Sequence, residues 1–315
     1  MDKRQLQVIF NFYARYTLSF SAIGYHFRKL FWQESTKDLS GKRVLVTGAS
    51  GGIGSDVVVG SIAKGATVLA AARNQEKLNT LRDTLPSGQQ ERMVDVLGDL
   101  SLQRDINTML DELEKSGEKI DVLVNNVGLI IHELTITDEE FEASFTTNLL
   151  NHYILTTELL KRNLLSEEAV IVNVSSGGMY NAALVPRAMN NMGPSYNGTV
   201  AYTLHKRGQV ALNQYWREKY KDTKMNFYVM HPGWVDTPLV KATLQTFRKI
   251  MHLVLRDEKQ GADTIHWLAC EAPPQQGFDQ IWLDRKARRT HHNEHTRNNS
   301  STINDLISFL DSKIL

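Results

Sequence analysis

Apolar residues recur along this chain in two periods. Short runs that are apolar at nearly every position occur at Val44–Val46, in "ATVLAAAR", at Arg92–Leu97, and in "IDVLVNN", "AVIVNVSS" and "MNFYVMHPG". Between them lie longer stretches with helical spacing, such as "DINTMLDELEKSG" and "DEEFEASFTTNLLNHYILTTELLKRNLL". A strand apolar on both faces is buried on both faces, and strands that alternate with helices build a parallel sheet with helices on each side. The pattern predicts an α/β fold in which residues 41–284 form a single domain around such a sheet. No internal repeat interrupts it.

The ends read differently. Residues 1–40 form an aromatic-rich arm, "QVIFNFYARYTLSFSAIGYHFRKLFW", broken by Arg15, His26, Arg28 and Lys29. The polar breaks do not suit a cleaved signal peptide, and no apolar run reaches bilayer-spanning length. Two readings of the arm stand. It packs on its own domain or on a second copy in a homo-oligomer, or residues 1–34 lie on a membrane surface as a peripheral contact. Packing is the expectation, because surface binding needs a clear basic face. Residues 285–315 begin with "RKARRTHHNEHTRNNSSTIN", expected to be exposed, and end in "TINDLISFLDSKIL". There Ile303, Leu306, Ile307, Leu310 and Ile314 have the spacing of a docking helix.

Composition narrows the function classes. Of 315 residues, 42% are hydrophobic and 23% charged, as in an ordinary globular protein. A formal net charge of +1 provides no field for nucleic acid, so no nucleic-acid partner is expected. The single cysteine, Cys270, excludes an intramolecular disulfide and fits a reducing, intracellular compartment, cytoplasmic or membrane-peripheral. Glycosylation-type tripeptides at Asn173, Asn197, Asn298 and Asn299 matter only in a secreted chain, and Asn173 sits in an apolar run. His291, His292 and His295 lack a cysteine or carboxylate set at ligand spacing, and no metal site is expected.

The candidate chemistry begins where the first strand ends. Val44–Val46 runs into "TGASGGIG", with glycines at 48, 52 and 54 at the first strand-to-helix junction. In that context a glycine turn lets a dinucleotide pyrophosphate approach the backbone, and the helix N-terminus offers it free N–H groups. The second strand ends in "AAARNQEKL". An acid there would bind the ribose 2′-hydroxyl of NAD; this chain has Ala72 followed by Arg73, which suits the 2′-phosphate of NADP(H). Further on, "VAYTLHKRGQ" sets Tyr202 and Lys206 one helical turn apart on one face. An ammonium beside a phenol favours the phenolate, which makes Tyr202 a candidate general acid or base.

With "GDL" at 98–100, "NNVG" at 125–128, Asn148, "VNVSS" at 172–176 and "HPGWVDTP" at 231–238, the series resembles the short-chain dehydrogenase/reductase family over roughly residues 41–270. The joint order of the motifs is highly specific. The resemblance implies a Rossmann-type doubly wound parallel sheet. It also implies an oxidoreductase that interconverts a carbonyl and an alcohol by hydride transfer. Tyr202 would give or take the proton, Lys206 would lower its pKa and hold the nicotinamide ribose, Ser176 would orient the substrate oxygen, and Asn148 would continue the relay. Gly48, Ser50, Gly52, Ile53 and Gly54 would form the phosphate turn. Asp99 and Leu100 would flank the adenine, Asn125 would lie beside the adenosine ribose, and Val235 and Thr237 would grip the carboxamide. A small apolar carbonyl or alcohol is the implied substrate.

The sequence departs from the family pattern twice. Val127 stands where alanine is usual, adding two methyls beside the cofactor. The Ser176–Tyr202 gap is about twice the common separation, and the 177–200 segment reads as an inserted substrate loop whose Met179, Tyr180, Leu184, Met189 and Met192 either line an apolar pocket or pack within an exposed loop. These departures keep a rival open: a protein that binds cofactor but has little turnover.

Overall fold

The computed structural model describes residues 15–33, 35–275, 277–292, 294–297 and 301–315. The first fourteen residues of the arm, and Asn298 and Asn299, lie outside them. Eight strands form one sheet: β1 (Arg43–Thr47), β2 (Thr67–Ala72), β3 (Met93–Leu97), β4 (Ile120–Asn125), β5 (Leu165–Val174), β6 (Asn226–Met230), β7 (Ile281–Leu283) and β8 (Lys286–Arg288). Their order is β3-β2-β1-β4-β5-β6-β7-β8, parallel except for the β7–β8 hairpin. The order reverses direction between β1 and β4, and the strands' carboxyl ends there open a crevice for ligands.

Each strand sends alternate residues to opposite faces, and in the central strands both are buried. On one face Leu45, Leu69, Leu123, Ile171 and Phe227 pack under the helices Gln103–Ser116, Asn151–Lys161 and Gly198–Lys219. On the other, Val44, Val68, Val122, Val172 and Tyr228 pack under the helices Ile53–Ala63, Gln75–Asp83 and Glu258–Glu271. Asn173 is buried and bonded to Asn213 and Tyr228, so it is no glycan acceptor in this fold.

Both ends of the chain close over this core. The helix Ile303–Asp311 starts with a Thr302–Asp305 capping box and buries Leu306 and Leu310. Tyr153 donates to Asp311 at 2.6 Å, and Gln103 bonds the backbone of Lys313 and Leu315. The polar segment before it, expected to be exposed, is drawn partly inward. β8 pairs with β7, and Thr290 is fully buried. The reason is the hairpin, whose turn residues Asp284 and Arg285 both have positive φ, as a tight two-residue turn requires.

At the other end, the helix Ala22–Lys29 and the residues before it bury Tyr16, Phe20 and Tyr25. Arg256 holds them. Its buried guanidinium bonds the carbonyls of Phe20, Ser21 and Pro232 and makes a two-pronged ion pair with Asp284 at 2.6 and 2.9 Å. Arg28 pairs with the same carboxylate.

Candidate active site

The crevice is a cavity of about 850 Å³ above β1, β4, β5 and β6. Its floor is the glycine turn. Gly48 and Gly52 have φ of +66° and +59°, a region side chains disfavour. A Cβ on Gly54 would sit 2.1 Å from the Gly48 carbonyl, so only glycine permits this packing. The helix Ile53–Ala63 has no side-chain cap at Gly52, and its first N–H groups face the cavity beside Gly48, Ser50, Gly52 and Ile53. Uncapped donors at a dipole's positive end, with no Cβ in the way, fit a pyrophosphate. Behind the turn, Thr47 accepts from the backbone of Asn126 and Val127 through its hydroxyl, and so ties β1 to β4. Gly261 is a further fitting residue: a Cβ there would meet Val235 at 2.9 Å and Ile53 at 3.1 Å.

The helix Gly198–Lys219 brings Tyr202 and Lys206 to the opposite wall, where Ser176 also faces the cavity. Ser175 and Ser176 part company here. Ser175 donates to the Lys206 carbonyl at 2.8 Å and is buried, whereas Ser176 bonds Tyr202. Burial pushes the Tyr202 phenol up, and the Ser176 hydrogen bond pulls it back. The expectation that Lys206 lowers it is not met in this geometry. The Lys206 ammonium is 5.5 Å from the Tyr202 ring centre, and it donates instead to the Val174 carbonyl at 2.8 Å and to Gln209 at 3.2 Å. Burial lowers its own pKa to about 7, so near neutrality it holds only part of its charge.

Gln209 is a residue that sequence reasoning passed over, although it lies three positions beyond Lys206 on the same face. Its amide orientation follows from its neighbours. The Val127 carbonyl can only accept, so His152 Nε2, 2.9 Å away, carries the hydrogen. Burial lowers the His152 pKa to about 3, the ring is neutral, and its Nδ1 therefore accepts. Gln209 must then present its NH2 to His152 at 3.0 Å and to the Asn148 carbonyl at 2.7 Å, which leaves its oxygen for Lys206. A continuous buried chain thus joins Lys206, Gln209 and the Asn148 carbonyl.

The Asn148 side chain has a separate task. It sits in a π-helical turn, Thr146–Leu150, and exchanges two 2.8 Å bonds with the backbone of Leu129. His205 bonds the Met189 carbonyl and is neutral, burial lowering its pKa to about 4. His231, likewise lowered by burial, packs under Phe20. His291 and His292 approach Arg207 and Arg15 respectively. The side chain of His295 is outside the described residues.

Four expected cofactor contacts lie away from the main cavity. Asn125 is fully buried and donates to Thr156 and Asn173; the wall beside it is Asn126, Val127 and Gly128. Leu100 is packed into the core. Arg73 and Asp99 line a smaller hollow of about 260 Å³ and face each other at 3.5 Å.

The 177–200 segment does reach the cavity, through Gly178, Asn181 and Thr199, but not through its large apolar side chains. Met179, Tyr180, Leu184 and Met189 are buried in the protein interior, and Met192 is exposed; none of these five lines the cavity. Apolar content alone does not say which way a loop's side chains turn. The apolar wall comes instead from Trp234, Leu239, Val240, Leu244 and Phe247, with Val235 and Thr237 between them and the glycine turn. Thr237 caps the helix Pro238–Thr243.

A doubly wound parallel sheet with an uncapped glycine turn facing a Ser–Tyr–Lys wall is an arrangement suited to a nucleotide-binding oxidoreductase. The chain belongs to the short-chain dehydrogenase family, whose model matches residues 42–247. It is 33% identical over 256 residues to human dehydrogenase/reductase SDR family member 12, covering 80% of each chain. It is 30% identical over 251 residues to mouse retinol dehydrogenase 14, covering 74% of each. Among solved structures, the angucycline C-6 ketoreductase LanV with bound NADP superposes with a TM-score of 0.61 at 20% identity, over 76% of this chain and 93% of that one. The protein is an oxidoreductase of the carbonyl–alcohol type that uses NAD(P).

Proposed function

We propose that the chain is an NADP(H)-dependent enzyme that interconverts an apolar carbonyl compound and its alcohol, with Tyr202 as proton donor and acceptor. The observation that carries this reading is the single cavity in which Ser176, Tyr202 and Lys206 face the uncapped glycine turn. Gly48, Ser50, Gly52, Ile53, Val235 and Thr237 would hold the dinucleotide, which supplies or takes up the hydride when bound. The Ser176 hydroxyl holds the substrate oxygen beside the phenol. Tyr202 gives its proton to that oxygen in reduction and takes it back in oxidation. Lys206 does not bond the phenol; its ammonium lies 5.5 Å from the Tyr202 ring centre, held by the Val174 carbonyl and Gln209, and in this reading it returns the proton to Tyr202 across that gap. Trp234, Leu239 and Phe247 exclude water and match an apolar substrate. Arg73 and the lack of an acid at Ala72 support NADP(H) over NAD(H).

The test is NADPH oxidation across a panel of aldehydes and ketones by the native chain and by Tyr202→Phe. The substitution removes only the hydroxyl, so NADPH binding is retained while turnover falls about 100- to 10,000-fold. Near-native turnover of the Phe variant on any accepted substrate would sink the assignment.

A further inference from the structure

The face of the N-terminal arm that points away from the core is as apolar as the face that packs on it. Ile23, Phe27 and Leu30 fall at helical spacing opposite the buried Tyr25, and they are 53%, 64% and 78% exposed. Phe31 packs edge-on against Phe27 in the same exposed layer. A second segment joins them, since Ala22 N donates to the Val254 carbonyl at 2.9 Å. Just before Val254, Ile250 and Leu253 are 74% and 85% exposed. Among the described residues, every large apolar side chain more exposed than Phe27, except the C-terminal Leu315, lies on these two segments. Apolar side chains exposed in such concentration mark an interaction surface.

The charge on the two segments themselves has one sign. Residues 15–33 and 245–256 contain no Asp or Glu. Of the acids beside them, Asp236 pairs with Arg248 and Asp284 with Arg28 and Arg256, while Asp257 caps the next helix by accepting from the Gln260 backbone and burial pushes the Glu258 carboxyl up. Lys29 and Lys249 are exposed and have no carboxylate within ion-pair distance among the described residues. Apolar side chains interleaved with unmatched cations suit a surface that is greasy below and negative at its edge.

We propose that this face docks on an anionic lipid membrane, with Phe27, Leu30, Ile250 and Leu253 inserted and Lys29 and Lys249 against the headgroups. No described helix is long and apolar enough to cross a membrane, so the contact is peripheral. The helix Gln245–Met251 turns Phe247 into the active-site cavity and Ile250 outward. Docking therefore sets one wall of the cavity against the bilayer, where apolar carbonyl compounds concentrate. That last consequence rests on the enzymatic reading; the docking itself does not.

The experiment is flotation of the full chain with vesicles of phosphatidylcholine alone or of phosphatidylcholine with phosphatidylserine. The chain floats with the anionic vesicles, and added salt weakens the binding. Ile250→Ser/Leu253→Ser and Phe27→Ser/Leu30→Ser each lower the partition about tenfold or more, with thermal unfolding unchanged, because these side chains are solvent-exposed in the free protein. Lys29→Glu/Lys249→Glu, which leaves the apolar face intact, removes the preference for anionic vesicles. Absence of the native chain from both vesicle fractions would overturn the proposal, as would serine variants that float equally well. A dimer in solution that the serine substitutions convert to monomer, without vesicle binding, would assign the face to a second copy and overturn it too. None of these measurements reads activity, so their failure leaves the enzymatic reading intact.

Discussion

At the scale of single residues, Tyr202, Lys206 and Ser176 were legible because one helical turn and one strand end put them side by side. Gln209 obeys the same spacing and was missed, because a glutamine announces no chemistry until its amide is oriented by His152 and Val127. Its role as a positioning residue has a measurable signature. Gln209→Leu removes an acceptor from Lys206 and a donor from the Asn148 carbonyl, and turnover falls about 10- to 100-fold with KM little changed, the worth of one hydrogen bond to a charged group. Gln209→Glu places a carboxylate beside Lys206, raises the Lys206 pKa, and moves the corresponding limb of the kcat–pH profile to higher pH. A residue that only packs would alter stability and leave the pH profile where it is. Arg73 tests the cofactor reading at the same scale. Only NADP carries the phosphate, so Arg73→Ala weakens NADPH about 10- to 100-fold and NADH little. Equal losses for both would mean that Arg73 does not touch the phosphate, leaving its partner Asp99 as its main contact.

At the scale of elements, β1, β2, β4, β5 and β6 could be read from the sequence because each is buried on both faces and therefore apolar at consecutive positions, and the edge strand β3 because it too is largely apolar. β7 and β8 could not. Each has three residues, and their turn, Asp284–Arg285, lacks the glycine or asparagine that usually signals positive φ. The loop at 177–200 was misread for a related reason: composition marks it as adaptable but not as core. The clamp on the arm was invisible because Arg256 and Asp284 are remote in sequence from Arg28. That clamp carries an expected outcome. In Asp284→Ala two guanidinium groups lose their shared carboxylate, and Arg256 stays buried with its charge unmatched. Breaking a buried pair from one side costs about 3–5 kcal/mol, which denaturant unfolding monitored by tryptophan fluorescence would read. The same variant frees the carbonyls of Phe20 and Pro232 to move, and Trp234, whose N–H donates to Phe20, moves with them. Substrate KM therefore rises as stability falls. Unchanged stability would show that Arg256 is held by the carbonyls alone.

At the scale of the whole molecule, the site depends on a charge the fold does not welcome. Lys206 is buried among carbonyls and an amide oxygen, with no carboxylate among the described residues in ion-pair contact, and its pKa falls from 10.5 to about 7. The folded state therefore binds fewer protons than the unfolded chain at any pH between about 7 and 10. Where the unfolded chain binds more protons, stability rises with pH. The Lys206 contribution is most favourable above its unfolded pKa and is lost as pH falls towards 7, below which the penalty stays constant. Lys206→Met keeps the length and apolar stem of the side chain and removes the titration. The variant is thus more stable than the native chain at pH 6, and its advantage shrinks steadily as pH rises towards 10, while proton return to Tyr202 is lost and turnover collapses. Urea midpoints for the two proteins at pH 6, 7, 8 and 9 measure this directly. A constant difference across the series would mean that Lys206 is charged throughout. The energetic conflict between fold and site would then lie elsewhere in the cavity.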